Sequence, residues 1–229
     1  KPRYAPHARY SLLHTLFRLR ADTSKPEQSV VQNFYYRLRN IGFKKATYFQ
    51  KASLLCHNAS SPVDITAKLP RIEPLKRTLF QSDSFHTPTF ILPEKRTQIQ
   101  FQVASSPQND FYGVCLDCPQ GIAIDNIPLR GSSGLEFSRI NAGFLRQQIR
   151  ELNVKLIILE FGVNVVPYEA KNYGWYETAL VKTIQSLKKA APRVQVLVIG
   201  VSDMARRAEG KWLSYPTLEM VKTAQRNAA

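Results

Sequence analysis

Two rhythms of hydrophobic and polar residues divide the chain. From residue 28 to about 120, short apolar runs are broken by turn signals. The segment 97–103, Thr-Gln-Ile-Gln-Phe-Gln-Val, alternates strictly, which marks a half-buried strand of an antiparallel sheet. Strands are predicted over 45–55, 63–69, 97–104 and 111–116, with turn-rich stretches at 58–62, 93–95 and 105–110. Prolines at 62, 70, 74, 88, 93 and 107 suit strand edges and turns, because proline has no amide proton to give a ladder. Together these features predict an all-β sandwich or jelly-roll module over 28–120, after a lead segment at 1–27.

From about 121 the period changes. A strand is predicted at 121–127. Phe144, Leu145, Gln148, Ile149 and Leu152 fall at helical spacing over 142–152. Strand 154–160, helix 175–190, strand 194–200 and a last helix after Pro216 follow. The runs Val-Lys-Leu-Ile-Ile-Leu (154–159) and Val-Gln-Val-Leu-Val-Ile (194–199) are nearly continuous, as in strands covered by helices on both faces. This alternation predicts an α/β unit with a parallel sheet over 121–229. The last helix runs to the end without a glycine cap, and three strands are fewer than the usual five or six. The expectation is an incomplete sheet whose other strands come from elsewhere.

Charge adds one fact. Lys and Arg number 32 against 17 Asp and Glu, a net +15, which suits an acidic partner. Basic residues come singly or in pairs, such as Lys188-Lys189 and Arg206-Arg207, and no zinc-finger or ribonucleoprotein motif occurs. No nucleic-acid role is read. No run approaches the roughly 20 apolar residues of a membrane span. Cys56, Cys115 and Cys118 include one Cys-x-x-Cys, which lacks a second ligand pair for zinc and a helix to open for redox work. The histidines, at 7, 14, 57 and 86, show no metal spacing. No metal and no cofactor are expected.

Candidate chemistry lies where apolar runs end. These places are 125–134 (Asp-Asn-Ile-Pro-Leu-Arg-Gly-Ser-Ser-Gly), 161–164 (Phe-Gly-Val-Asn) and 199–203 (Ile-Gly-Val-Ser-Asp). Strand ends of this kind carry the ligand sites of α/β sheets. By pattern alone Asn164 reads first as a turn asparagine and Gly131 as a turn glycine. Asp125 and Asn126 read as fixing the loop that leads to Gly131, and Asp203 as a strand-end carboxylate. Ser132 and Ser133 miss the Gly-x-Ser-x-Gly elbow by one place, so neither reads as a nucleophile. Tyr173, Trp175 and Tyr176 follow the Asn164 loop and could wall a cleft. The aromatic pairs of the β-rich half read first as core.

These segments resemble the middle blocks of the SGNH (GDSL-type) hydrolases. Gly131 after an Asp-Asn strand, Gly162-x-Asn164 and the later Ile-Gly-x-Ser-Asp strand carry the resemblance, over about 113–229. Leu-Ile-Ile-Leu-Glu-Phe-Gly-Val-Asn and Val-Ser-Asp-Met-Ala-Arg-Arg are similar to a bacterial envelope subgroup with an inserted β-sandwich. The resemblance implies a flavodoxin-like sheet and an oxyanion hole formed by Gly131 and Asn164. Ser132, Ser133, Tyr173, Trp175 and Tyr176 would lie against an acylated polysaccharide. The family's first block, Gly-Asp-Ser, does not occur. The one Asp-x-x-His, Asp83–His86, lies in the β-rich half ahead of the α/β segments and not near the end, so the nucleophile and the base are not found. Two expectations follow: a carbohydrate acetyl esterase present as an incomplete chain, or a non-catalytic carbohydrate-binding protein on a degenerate SGNH scaffold. With Lys1 rather than Met at the start, the subgroup implies a periplasmic or secreted form after signal removal.

Overall fold

Alternation over 30–117 produces eight strands, which a computed structural model arranges in two antiparallel sheets. It describes residues 30–37, 48–127 and 131–229. The lead segment 1–27, His7, His14 and the first residues of the strand predicted over 45–55 lie outside these. The chain divides at Asp125–Asn126 into two compact units.

In the first unit one sheet has the order β1 (Val30–Arg37), β7 (Gln98–Ser105), β3 (Val63–Leu69), β4 (Ile72–Leu79). In the other, β2 (Phe49–Asn58) pairs with β5 (Ser82–His86), β6 (Thr89–Arg96) and β8 (Asp110–Asp117). The strict alternation of β7 fixes its register: Ile99, Phe101 and Val103 point inward, while Gln98, Gln100 and Gln102 stay half-buried on the far face. One core joins inward residues of both sheets, Phe101 and Ile65 from one, Phe49, Leu54 and Phe111 from the other. Pro74 sits in β4, at the edge of its sheet. Pro93 sits in β6, where the register against β2 slips. Both are places that tolerate a missing ladder donor.

In the second unit β9 (Leu156–Glu160) and β10 (Gln195–Ile199) form a parallel pair, with Leu156 opposite Gln195 and Glu160 opposite Ile199. Helix α1 (Ala142–Glu151) starts at Asn141, whose side chain accepts the Phe144 N–H. It ends at Asn153 (φ 53°), with Val154 N–H reaching Ile149 O and Asn153 N–H reaching Arg150 O. That is the Schellman pattern, with asparagine in the place glycine usually takes. Helix α2 (Gly174–Ala190) stops before Pro192, and α3 (Leu218–Ala228) starts after Pro216. Leu159 packs with Leu145, Ile149, Leu180, Leu187 and Val221 into one core, against which Ile157, Val196 and Val198 also lie.

Two expectations need correction. Residues 121–127 form no strand; they are irregular, with Ile122 95% and Ile124 87% exposed. Their alternation suits a strand, but among the described residues no neighbour pairs with them, and a strand needs a partner. Among the described residues the parallel pair is also covered on one face only. Leu156, Ile158, Leu197 and Ile199 remain exposed. The continuous apolar runs reflect two apolar faces, of which the described helices bury one. A further element escaped the sequence: a hairpin of β11 (Ala205–Ala208) and β12 (Lys211–Ser214).

Candidate functional site

The carboxyl ends of β9 and β10 hold two of the three segments singled out above, 161–164 and 199–203, and the third meets them at Ser132; glycines explain the turns. Gly162 follows β9 at φ 113°, and a Cβ on it would lie 2.7 Å from Gln225 Nε2. Its carbonyl accepts from Val165 and Val166 N–H, closing the turn that carries Asn164. Gly134 has φ 83°, and a Cβ there would meet the Phe161 ring at 2.5 Å. Both positions need glycine for close approach as well as for φ.

These turns bring the two oxyanion candidates to one place. Asn164 Nδ2 donates to Ser132 O at 2.8 Å, joining the β9 turn to the loop residue next to Gly131. Gly131 has φ 77° and open space around it. Gly131 and Asn164 are both exposed. An amide nitrogen carries two hydrogens, so Asn164 keeps one beyond its bond to Ser132. A backbone N–H and a side-chain amide are donors of the kind that serve a developing oxyanion.

Ser132 is held inside its turn. Its hydroxyl donates to Glu136 Oε2 at 2.6 Å and accepts the Gly134 N–H at 2.9 Å. Ser133 is half-buried. Of the three aromatic residues, Tyr176 is wholly buried and Tyr173 nearly so, with its hydroxyl donating to Tyr168 O. Burial pushes the Tyr176 hydroxyl pKa up, against a smaller opposite effect of its bond to Gln225. Trp175 alone of the three presents a ring to solvent, edge to face with Tyr168 at 6.3 Å.

Sequence reasoning missed Tyr168, which is 65% exposed on the Asn164 loop. It also missed Gln225. From α3 the Gln225 side chain accepts Val201 N–H at 2.9 Å and donates to Phe161 O at 2.8 Å, so one buried amide ties the ends of both parallel strands. The Thr217 hydroxyl donates to Val166 O, which anchors the start of α3 to the same turn. Nothing in the sequence flags Gln225, because its partners lie 24 and 64 residues away.

The other candidates are engaged elsewhere or belong to the first unit. Asp203 accepts from Lys222 Nζ at 3.0 Å, as does Glu219. These two bonds hold the Lys222 ammonium pKa up. Asp125 is exposed; its charge, after burial, is the next cause of the raised Cys115 pKa, about 11. In the first unit His57 Nε2 lies 2.8 Å from Asp83 Oδ1, and His86 Nε2 is buried with no partner among the described residues. The three cysteines are free thiols. Among the described residues no cluster of three or more His, Cys, Asp or Glu gathers to hold a metal ion. No helix there is long and apolar enough to cross a membrane.

The chain matches no family model and no curated protein. Its fold is similar to that of a solved peptidoglycan O-acetylesterase, at TM-score 0.51 and 11% identity, over 93% of this chain. It spans 65% of that structure's length. Two carbohydrate esterases of family two are matched more weakly. One, from Clostridium thermocellum in complex with cellohexaose, gives TM-score 0.27 at 11% identity over 93% of this chain and 82% of its own. The other, from Cellvibrio japonicus, gives 0.29 at 12% identity over 97% and 83%. At such identity the first match shows fold alone, and the weaker two carry no argument.

Proposed function

We propose that this chain forms part of an SGNH-type serine esterase that removes acetyl groups from a polysaccharide of the cell envelope. The observation that carries the reading is the 2.8 Å bond from Asn164 to Ser132 O, which joins the Asn164 turn to the residue after Gly131. The fold likeness to a peptidoglycan O-acetylesterase supports it. In this reading the β-rich unit is a sandwich inserted into the hydrolase chain.

The chemistry follows from the donor pair. A serine hydroxyl attacks the ester carbonyl while a histidine takes its proton. The carbonyl oxygen gains negative charge and receives the Gly131 N–H and the free Asn164 amide hydrogen. Collapse breaks the bond to the sugar oxygen, which leaves with the proton from histidine. Water then releases acetate from the acyl-serine. The serine and histidine are proposed to come from outside these 229 residues; Ser132 does not serve, because its hydroxyl is committed to Glu136 and Gly134.

The test is acetate release from O-acetylated peptidoglycan and from acetylated xylan by the complete gene product that carries this sequence. Release above the uncatalysed rate on either polymer is the expected result. Saturable binding of the polymers without any acetate release would instead favour a non-catalytic carbohydrate-binding protein.

A further inference from the structure

The β11–β12 hairpin plays no part in the donor pair, yet it is built onto the same end of the second unit. Its two-residue turn, Glu209-Gly210, has φ 51° and 76°. Positive φ at both positions is the type I′ geometry whose twist matches a hairpin. Tyr215 N–H donates to Met204 O at 3.3 Å and closes the base.

Register separates the faces. Arg206 stands opposite Leu213 and Ala208 opposite Lys211; Arg207 stands opposite Trp212 and Ala205 opposite Ser214. Directly opposed residues share a face and adjacent ones do not. The Arg206 face is anchored. Arg206 Nη1 lies 2.9 Å from Glu169 Oε1, and its guanidinium is 5.7 Å from the Tyr215 ring centre. Glu169 belongs to the loop that carries Asn164 and Tyr168, so the hairpin is tied to the rim of the candidate site.

The other face is open. Trp212 is 73% exposed and Arg207 is exposed. Among the described residues Trp212 has no ring partner and Arg207 no ion pair. Their neighbours on that face, Ala205 and Ser214, are small, so nothing shields the indole plane from a flat ligand. An indole packs on the C–H face of a sugar ring, and a guanidinium receives a carboxylate through two parallel hydrogen bonds. Only Glu209 offsets Arg206, Arg207 and Lys211 on the hairpin, and the chain carries net charge +15.

We propose that the Trp212–Arg207 face binds a carboxylate-bearing sugar unit of an acidic polysaccharide. The face would hold the polymer on the rim while an acylated unit reaches Gly131 and Asn164. That role rests on the esterase reading; the binding does not.

The experiment titrates the 229-residue chain with hexagalacturonate, with a neutral cello-oligosaccharide of equal length, and with poly-glutamate. Binding is followed by calorimetry and tryptophan fluorescence. Saturable hexagalacturonate binding is expected, at least about tenfold tighter than the neutral sugar and tighter than poly-glutamate. Trp212→Ala should weaken it about tenfold or more with an unchanged circular-dichroism spectrum. Arg207→Gln should bring the acidic sugar down to the affinity of the neutral one. Absence of saturable binding, equal binding of poly-glutamate, or indifference to both substitutions overturns the proposal. Loss of acetate release in the complete gene product with this binding intact would sink the esterase reading and leave the site standing.

Discussion

At Gly162, sequence and structure meet in a single residue. Its φ of 113° and the 2.7 Å approach of Gln225 Nε2 leave no room for a methyl group. Gly162→Ala should therefore cost about 1–3 kcal/mol, read as a shift of the urea midpoint with unchanged slope. Gly-x-Asn was legible as a turn because glycine and asparagine each have a local reason to be there. Gln225 was not, because its value comes from distant backbone groups. Gln225→Leu strands Val201 N–H and Phe161 O and should destabilise the second unit by about 2–4 kcal/mol, seen as earlier loss of amide-exchange protection in β9 and β10. Cys56 gives a pH signature. Burial pushes its thiol up to about 12, so on raising the pH the unfolded chain loses this proton first. The contribution is fully present below about pH 8.5 and falls by about 1.4 kcal/mol per pH unit above that, until the folded thiol itself titrates. Denaturant unfolding of wild type and Cys56→Ala at pH 8 and pH 10 should show that difference in slope. Equal pH dependence would remove Cys56 as a cause.

Elements were read best where one period ran long enough to dominate. The stripe of Leu180 and Leu187 gave α2, and the alternation of residues 98–103 gave β7 with its inward face. Reading failed where an element depends on a neighbour. Residues 121–127 alternate like a strand, yet no described strand pairs with them. The hairpin failed for the opposite reason: four-residue strands exposed almost throughout carry no hydrophobic period, and only Gly210 hinted at a turn. The parallel pair yields a direct comparison. Leu159 is 3% exposed in the core, whereas Ile158 is 50% exposed on the uncovered face. Leu159→Ala should cost about 2–5 kcal/mol, while Ile158→Ala should cost under about 1 kcal/mol. Thermal and urea unfolding of the two variants would show whether the alternate face is really uncovered in solution, since comparable losses mean something packs against Ile158.

The molecule has a β-rich unit and a unit built on a parallel strand pair, which divide at Asp125–Asn126; the sequence was read as changing period near residue 121. The site was legible in part. Asn164 stands just after β9, whereas Gly131 follows no strand among the described residues; the flanking segments of both carried the resemblance to SGNH hydrolases, and the bond between Asn164 and Ser132 could not be foreseen, because it spans 32 residues. The central claim is that Asn164 acts on charge that develops only in the transition state. The measurement that tests it most directly is kcat and KM for acetate release from O-acetylated peptidoglycan by the complete gene product, wild type against Asn164→Ala. The account predicts a fall in kcat of about 10²–10³ with KM little changed. An Asn164→Ala enzyme with wild-type kcat would contradict it.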